Sequence, residues 1–388
     1  MDVRAEFMGR FGVPPTILAR APGRVNLLGE HVDYNDGPVL PVAIDRAVYL
    51  AARPRDDDLV VLAAHDLGEQ IEFRVADLEE KKDIHGNPLP KWALYPAGVA
   101  WACSQHGYNV HGMMVLYSSD IPIGAGLSSS AAVEVAFAVA WQALGGWQVE
   151  RMTLARLCQR AENDFVGLNC GLMDQFASIH GVAGHVLYFD TRSLEWEALP
   201  MPVNTVLVVA DSGVRRSLAS SAYNERRAAC ERAVEILRGY LPHLRSLRDI
   251  STVEFAAFSE ALPLEVRKRA EHVVKEIHRV FAAVTALRQG DARSFGAYMY
   301  AGHASLRDLY EVSCQELDIL VEIARGLPGC YGARLTGAGF GGCTINLVQE
   351  THAEEFAQGL LKGYLQQTGR QANVYLCRAS EGAKVEKI

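Results

Sequence analysis

The chain of 388 residues is long enough for two domains with a large buried core, and its 49% hydrophobic and 22% charged residues are typical of a soluble enzyme and exclude a disordered protein. A net charge of −8 excludes a broad basic surface for nucleic acid or anionic membranes, so an anionic ligand requires a local site. The eight cysteines include no C-x-x-C pair, and the chain has no signal-like N-terminus or long apolar span, which predicts a cytosolic protein with core thiols.

The first notable segment is residues 21–37, which read Ala-Pro-Gly-Arg-Val-Asn-Leu-Leu-Gly-Glu-His-Val-Asp-Tyr-Asn-Asp-Gly. It places Arg24, Glu30, His31 and Asp33 in an otherwise apolar strand-and-turn context. Such groups are costly to bury unless they pair with each other or hold a ligand. By chemistry alone, a ligand site and a solvated loop with ion pairs explain the segment equally well.

Strands are predicted at Ala47–Ala52 and Leu59–Ala64, and a helix is predicted at Trp92–Ala102. Trp92 and Tyr95 lie one turn apart on this helix. Aromatic side chains at that spacing are usually part of a core, and this is the favoured interpretation here.

A glycine- and serine-rich turn at residues 121–132 leads into an apolar helix predicted over Val133–Leu144. Gly124 and Gly126 lack a Cβ, and three hydroxyls follow them where a helix begins and exposes unpaired N–H donors. The alternative is a serine-rich helix cap after a β-turn. The segment is neither a Walker P-loop nor a dinucleotide fingerprint, because the Gly-Lys-Ser/Thr and the three-glycine spacing are missing. We favour an anion site.

A helix is predicted over Thr153–Asp164 with Glu162 near its end, and Asp174 follows a glycine-rich stretch in Cys-Gly-Leu-Met-Asp-Gln. By default a lone helical glutamate is solvated and an aspartate after such a turn is a cap. A second domain is expected to begin near residue 180.

In the second half a buried strand is predicted at Val206–Ala210, a polar loop at Asp211–Asn224 and a helix at Glu225–Leu237. Tyr223 in the loop is by default a packing residue. Helical patterns dominate Pro263–Arg325.

Residues 333–344 read Ala-Arg-Leu-Thr-Gly-Ala-Gly-Phe-Gly-Gly-Cys-Thr, and four glycines after a strand demand a special backbone path. A helix and a strand at Asn373–Cys377 complete a β-α-β order.

Several of these segments together resemble one enzyme family. Residues 122–132 are similar to the second motif of the GHMP small-molecule kinases, Pro-x-x-x-Gly-Leu-Ser/Gly-Ser-Ser-Ala, and residues 333–344 are similar to the third. Residues 23–35 resemble the galactokinase signature, in which Thr is commoner than Val at position 32. Residues 170–176 and 216–224 match the galactokinase patterns Cys-Gly-x-Met-Asp-Gln-Phe and Arg-x-Leu-x-x-Ser-x-Tyr-Asn, so the resemblance extends over nearly the whole chain.

The resemblance implies an α/β (α+β) fold with two GHMP kinase domains. Residues 1–180 form a half like ribosomal S5 domain 2, and residues 181–388 form a ferredoxin-like half with added helices. It also implies ATP-dependent phosphorylation of α-D-galactose at the C1 hydroxyl, with Mg²⁺. Expected partners are these small molecules, without nucleic acid or membrane, and the enzyme is expected to be a cytoplasmic monomer or weak dimer.

The same resemblance assigns roles to individual residues. Asp174 is the general base, and Arg24 holds it ionised and neutralises charge on the transferred phosphoryl group. Mg²⁺ is assigned to Glu162 and Ser130, with Ser129 as the alternative to Ser130. The sugar is assigned to Glu30, His31, Val32, Asp33, Gly171 and Tyr223. The ATP phosphates are assigned to Gly124, Ala125, Gly126, Leu127, Ser128, Ser129 and Ser130. A minority possibility places Trp92 against the adenine.

Alternatives remain within and beyond enzymes. Relatives phosphorylate N-acetylgalactosamine or arabinose, mevalonate and homoserine kinases share the outer motifs, and some galactose sensors have this fold without catalysis. The string from Glu30 to Asn35 favours galactose. The complete serine run at residues 126–132 favours a kinase over a sensor, because the sensors lack two residues beside it.

Overall fold

The structure is a computed structural model that describes residues 1–122, 124–215 and 219–388. Its α-helices are α1 (Val3–Phe11), α2 (Lys91–Gln105), α3 (Ser129–Gly145), α4 (Arg151–Arg160), α5 (Met173–His180), α6 (Ala219–Arg238), α7 (Thr252–Phe258), α8 (Leu264–Arg288), α9 (Ala292–Ser305), α10 (Gln315–Gly326) and α11 (Ala353–Thr368). Its strands are β1 (Ile17–Asn26), β2 (Pro38–Val39), β3 (Pro41–Pro54), β4 (Leu59–Ala64), β5 (Glu69–Arg74), β6 (Met113–Ser119), β7 (His185–Asp190), β8 (Trp196–Pro200), β9 (Thr205–Asp211), β10 (Cys330–Thr336), β11 (Cys343–Gln349), β12 (Asn373–Cys377) and β13 (Lys384–Lys387).

The first sheet has the strand order β13-β1-β3-β6-β4-β5, and its pairs are antiparallel except β4 with β6. Helices α3 and α5 pack against β1 and β3, and α1 packs against β3 and β6. The register of β1 against β3 shifts between Pro22 and Arg24. A Cβ at the intervening Gly23 would lie 2.7 Å from the carbonyl oxygen of Leu127, so glycine is needed for β1 to pass the turn before α3.

The second sheet is antiparallel with the order β10-β11-β9-β12, and α9, α10 and α11 pack against it. This confirms the buried strand predicted at Val206–Ala210 and the strand at Asn373–Cys377. A third sheet joins β2, β7 and β8. Strand β13 pairs with β1, so the end of the chain returns to the first sheet.

The helix predicted at Trp92–Ala102 is confirmed within α2, and the helix predicted over Val133–Leu144 lies within α3. The helices expected between Pro263 and Arg325 are α8, α9 and α10. Six of the eight cysteines are buried, in agreement with the core prediction. Among the described residues, no helix combines the length and apolar character needed to cross a membrane.

Two predicted boundaries are wrong. The polar loop expected at Asp211–Asn224 is wrong from residue 219 onward, where α6 begins, and residues 216–218 of the expected loop lie outside the described residues. The sequence near the start of α6 lacks an apolar stripe, since Tyr223 and Asn224 line a cavity rather than the core. The helix expected over Thr153–Asp164 ends as α4 at Arg160 and continues as a π-helical turn, Ala161–Val166. Such turns are frequent at functional sites.

Candidate active site

A cavity of about 270 Å³ lies between the two larger sheets. Its lining brings together segments that are far apart in the sequence: the end of β1 and the turn after it, the π-helical turn, the N-terminus of α5, α6, and the turn after β10. The lining includes most of the predicted sugar and catalytic residues and one of the predicted metal ligands, namely Arg24, Glu30, His31, Asp33, Gly171, Asp174 and Tyr223, and Glu162. The side chain of Val32, by contrast, lies fully buried in the hydrophobic core.

Arg24 and Asp174 form a two-pronged ion pair. Nε of Arg24 donates to Oδ1 of Asp174 at 2.8 Å, and Nη2 donates to Oδ2 at 2.7 Å. The remaining Nη1 donates to the carbonyl oxygen of Gly126 at 2.8 Å. Arg24 is buried, whereas the side chain of Asp174 is 27% exposed. The guanidinium therefore fixes the carboxylate beside the glycine- and serine-rich turn and leaves it accessible from the cavity.

Ser128 does not act as the helix cap that the sequence allowed. It occupies the N-cap position of α3 with φ of +57°, and its side chain makes no cap hydrogen bond. Its hydroxyl donates to Oδ2 of Asp174 instead. Gly124 and Gly126 also have positive φ, of +67° and +79°. The turn thus has the backbone path of an anion site, and its first hydroxyl is directed at the predicted base.

The glycines after β10 support this turn by close backbone approach. Gly337, Gly339, Gly341 and Gly342 all have positive φ. A Cβ at Gly337 would lie 3.0 Å from the carbonyl oxygen of Gly126. The special backbone path predicted from the third motif is confirmed, and its physical role is to hold the serine turn in place.

Glu162 lies in the π-helical turn and is 6% exposed. Its Oε2 accepts from the Cys170 thiol at 3.1 Å and from the Gln175 amide at 2.7 Å. Ser130 lies near this carboxylate and favours its charged form, so it opposes the effect of burial on the pKa of Glu162. Burial raises the pKa of Glu162. Glu162 therefore lies near Ser130, the hydroxyl that the sequence analysis paired with it for a metal.

A second carboxylate that the sequence analysis did not single out shares the Gln175 amide. Oε2 of Glu134 accepts from Gln175 at 3.0 Å, and Glu134 is fully buried on α3. A glutamate inside the apolar run after the serine turn was the available signal. Two buried carboxylates thus share one amide, and burial raises the pKa of both.

Asp33 and Gly171 depend on each other. A Cβ at Gly171 would lie 1.7 Å from Oδ2 and 2.4 Å from Cγ of Asp33. Burial, followed by the neighbouring Asp174 carboxylate, raises the pKa of Asp33 to about 6. The absence of a side chain at Gly171 thus provides the space for the carboxylate at the cavity wall.

His31 is held by a buried chain of hydroxyl groups. Nε2 lies 3.2 Å from the carbonyl oxygen of Ala338, which can only accept, so Nε2 carries the proton. Nδ1 then accepts from the Tyr34 hydroxyl at 2.8 Å, and Tyr310 lies 2.8 Å from that hydroxyl. Burial lowers the pKa of His31 to about 3, so the ring is neutral. Both ring nitrogens are therefore occupied within the protein.

The ring of Tyr223 lies beside these hydroxyl groups. Its centroid is 5.5 Å from the ring centroid of His31 and 5.4 Å from that of Tyr34. It lies on α6, the helix whose early start the sequence analysis missed. Trp92 is partly buried against the core and donates from Nε1 to Glu69 at 2.5 Å. Its packing role agrees with the favoured interpretation of the sequence.

Glu30 is 2% exposed and belongs to a buried charge network. Its Oε1 accepts from the backbone N–H of Gly337 at 3.3 Å, and its Oε2 lies 2.5 Å from Nη2 of Arg334. Arg334 also pairs with Glu276 at 2.9 Å. The sequence analysis identified Glu30 but neither Arg334 nor Glu276, because strand and helix periodicity does not report which buried charges meet.

Three regions of the chain match known protein families. Residues 5–54 match the galactokinase galactose-binding signature, residues 95–182 match the GHMP kinases N terminal domain, and residues 283–365 match the GHMP kinases C terminal domain. The three matched regions contain, respectively, residues 23–35, which we call the first motif, the second motif at residues 122–132 and the third motif at residues 333–344.

Individual relatives agree with these matches. The chain is 47% identical over 381 residues to a galactokinase of Roseiflexus sp. (strain RS-1), covering 98% of this chain and 96% of that one. It is 40% identical over 389 residues to a galactokinase of Homo sapiens, covering 99% and 96%.

Solved structures give the same result. A galactokinase of Lactococcus lactis complexed with galactose superposes with a TM-score of 0.93 at 34% identity, covering 98% of both chains. A mevalonate kinase superposes with a TM-score of 0.64 at 18% identity, covering 93% of this chain and 98% of that one, which shows a shared fold. The predicted two-part GHMP kinase architecture is thereby confirmed, and the chain belongs to the galactokinase family of the GHMP kinases.

Proposed function

We propose that this galactokinase transfers the γ-phosphoryl group of ATP to the C1 hydroxyl of α-D-galactose. The observation that carries the proposal is the cluster of Asp174, Arg24 and Ser128, which sits where the serine turn meets the polar cavity. A base at this junction is within reach of a sugar hydroxyl on one side and of the ATP phosphates on the other.

The chemistry follows from this position. Asp174 accepts the proton of the C1 hydroxyl, the hydroxyl oxygen forms a bond to the γ-phosphorus, and the bond from that phosphorus to the bridging oxygen breaks to release ADP. Arg24 orients the carboxylate through two hydrogen bonds and brings a fixed positive charge to the same point. Charge that develops on the phosphoryl oxygens is stabilised by such preorganised groups.

Mg²⁺ fits the residues beside this cluster. Glu162 provides a buried carboxylate and Ser130 provides a hydroxyl near it, and hard oxygen donors of this kind suit Mg²⁺. When bound, the ion neutralises phosphate charge. Cys170 and Gln175 both contact Oε2 of Glu162 and so orient the carboxylate.

Glu162→Ala is expected to raise the Mg²⁺ concentration needed for half-maximal activity by roughly tenfold or more, because a ligating carboxylate is lost. Galactose binding without nucleotide, measured by calorimetry, should stay at the wild-type level. The matched control is Glu322→Ala, which removes an exposed glutamate on α10. An unchanged Mg²⁺ requirement in Glu162→Ala would return this residue to a structural role.

The sugar is proposed to lie against the opposite wall of the cavity, formed by Glu30, His31, Asp33, Gly171 and Tyr223. Carboxylates suit several sugar hydroxyls because each accepts two or more hydrogen bonds. The ring nitrogens of His31 are occupied, so we propose that His31 contributes its backbone N–H and shape. Val32 is proposed to support the sugar site indirectly, because its buried side chain packs in the core and holds this turn in place.

Gly171→Ala tests whether Asp33 needs the space that glycine leaves. The added Cβ would overlap Oδ2 of Asp33, and displacement of a binding group by about 1 Å costs on the order of 10²-fold. We expect kcat/KM for galactose to fall on that scale, while the KM for ATP changes little. Gly326→Ala is the control, since its added Cβ meets no atom within 4 Å, its φ is not positive and it does not line the cavity.

A coupled ADP-release assay over galactose, glucose, arabinose, N-acetylgalactosamine, mevalonate and homoserine tests the proposed reaction. We expect turnover with galactose well above the others. Binding of galactose and ATP without ADP release would identify a sensor. Preference for another acceptor would place the enzyme among the kinases of other small molecules.

We further propose that residues 1–180 and 181–388 are the two domains, with the cavity between them, and that the enzyme is a cytoplasmic monomer or weak dimer. The positions of the two larger sheets support this division, although β13 crosses back to β1. Sedimentation at micromolar concentration measures the oligomeric state.

A further inference from the structure

A fully buried arginine lies behind the sugar wall. Arg334 on β10 is 0% exposed, and its guanidinium lies between Glu30, on the turn after β1, and Glu276, on α8. Nη1 also donates to the carbonyl oxygen of Leu27 at 3.2 Å. One side chain thus joins the second sheet, α8 and the first motif.

The fold makes room for this guanidinium. Gly302 on α9 faces it, and a Cβ at that position would lie 3.0 Å from Nη1 of Arg334 and 3.2 Å from Cδ2 of Leu28. Replacement of a buried ion pair by apolar side chains of similar volume is often neutral or stabilising. Stability alone therefore gives little reason for an arginine at this position, and a role at the cavity gives a better one.

The two glutamates are not equivalent. Burial would raise the pKa of Glu276, but Arg279 and Arg334 together outweigh burial and hold it far below its ordinary value. Glu276 also accepts from the backbone N–H of Gly29 at 2.9 Å. It is therefore a permanently charged anchor for the arginine.

The charged form of Glu30 is stabilised less strongly than that of Glu276. Burial raises the pKa of Glu30 to about 7, while Arg334 lowers it, Glu276 raises it and Arg24 lowers it. The neutral His272 contacts the backbone oxygen of Glu30 at 3.3 Å. Glu30 is the one of the two carboxylates that lines the cavity, so its charge and orientation matter to a ligand.

We infer that Arg334 is a positioning residue for galactose binding: clamped by Glu276, it orients the Glu30 carboxylate toward the cavity. The inference rests on the proposed sugar site. A carboxylate held in this way accepts hydrogen bonds from sugar hydroxyls, whereas a protonated or displaced one loses acceptor capacity. Strand β10 thereby contributes to sugar binding without touching the sugar.

The experiment measures kcat/KM for galactose and for ATP against pH in wild type, Arg334→Met, Arg334→Lys and Glu276→Gln. Calorimetric titration with galactose alone and thermal unfolding accompany each variant. Arg269→Met is the matched control, because Arg269 is a buried arginine that pairs with Glu265 and Glu311 away from the cavity. Gly302→Ala provides a further variant that displaces the guanidinium without removing its charge.

Arg334→Met should weaken galactose binding roughly tenfold or more and leave the KM for ATP nearly unchanged. Loss of the positive charge raises the pKa of Glu30, so the acid limb of kcat/KM for galactose should move to higher pH by about one unit or more. Glu276→Gln removes a negative neighbour, so the same limb should move to lower pH. Arg334→Lys should return the acid limb to nearly its wild-type pH, because lysine keeps the positive charge. It should restore less of the galactose affinity, because lysine lacks the planar guanidinium that contacts both glutamates.

An acid limb that moves to higher pH in Arg334→Met and to lower pH in Glu276→Gln supports the inference, because loosened packing would not shift the two variants in opposite directions. Equal losses for galactose and ATP without a limb shift, or the same behaviour in Arg269→Met, would overturn it. If Arg334→Met does not fold, Gly302→Ala and Glu276→Gln decide the question by the same measurements. A wild type that binds galactose without phosphorylating it contradicts the proposed reaction and leaves the binding test of Arg334 intact.

Discussion

Asp174→Asn is expected to lower kcat by about 10²-fold or more, the usual scale for loss of a general base. The amide keeps the shape of the carboxylate but cannot take a proton from the C1 hydroxyl. Affinities for ATP and galactose should remain close to those of the wild type, because the substituted atom is needed in the chemical step. Steady-state kinetics together with calorimetric binding of each substrate checks both parts.

A matched control is available at Asp190. This aspartate also accepts two hydrogen bonds from one arginine, Arg248, at 2.5 Å each, but it does not line the cavity. Asp190→Asn should therefore lower the free energy of unfolding with little change in kcat. Wild-type turnover in Asp174→Asn would remove Asp174 from the mechanism, and equal losses in both variants would point to a general effect on folding.

Asp33→Ala is expected to lower kcat/KM for galactose. The loss of transition-state stabilisation should be about 2–5 kcal/mol, the scale of one or two buried hydrogen bonds to a charged group. Galactose and glucose differ in the orientation of the C4 hydroxyl, and a buried polar group left unpaired by the wrong epimer provides discrimination. We therefore expect the wild type to prefer galactose clearly and the variant to lose most of that preference. Measurement of kcat/KM for galactose and for glucose, and of the KM for ATP, in both proteins checks this prediction.

The pH dependence gives a second readout for Asp33. Its pKa is raised to about 6 by burial and by Asp174, so the carboxylate becomes protonated as pH falls through that value. Galactose binding by the wild type should weaken over this range, because a protonated carboxyl loses acceptor capacity. Asp33→Ala should bind weakly at all pH values and lack this part of the dependence.

Asp36→Ala is the control for Asp33, since Asp36 lies in the same turn but pairs with Arg192 at the surface. It should leave kcat/KM for galactose within about twofold of wild type, as expected for an exposed pair. If Asp33→Ala instead raises the KM for ATP and leaves kcat/KM for galactose unchanged, the sugar has been assigned to the wrong wall of the cavity.

The sequence by itself determined the local parts of the site. The serine turn, the string around Glu30 and the segment around Asp174 are each contiguous, and glycines and ionisable groups in apolar surroundings mark them without knowledge of the fold. Most helices and several strands, such as those at Leu59–Ala64 and Val206–Ala210, were also predictable, because their apolar pattern reflects burial. The start of α6 was not, since Tyr223 and Asn224 near its start line the cavity and the sequence there carries no such stripe.

The tertiary structure alone decided which of these groups meet. The hydroxyl of Ser128 turns to Asp174 rather than to its own helix, Gly171 leaves space for Asp33, and Arg334 approaches Glu30 from a distant strand. No periodic pattern records these pairs. Each one depends on how the halves of the chain pack, and the charge and protonation of a buried group depend on which neighbours that packing brings within a few ångströms.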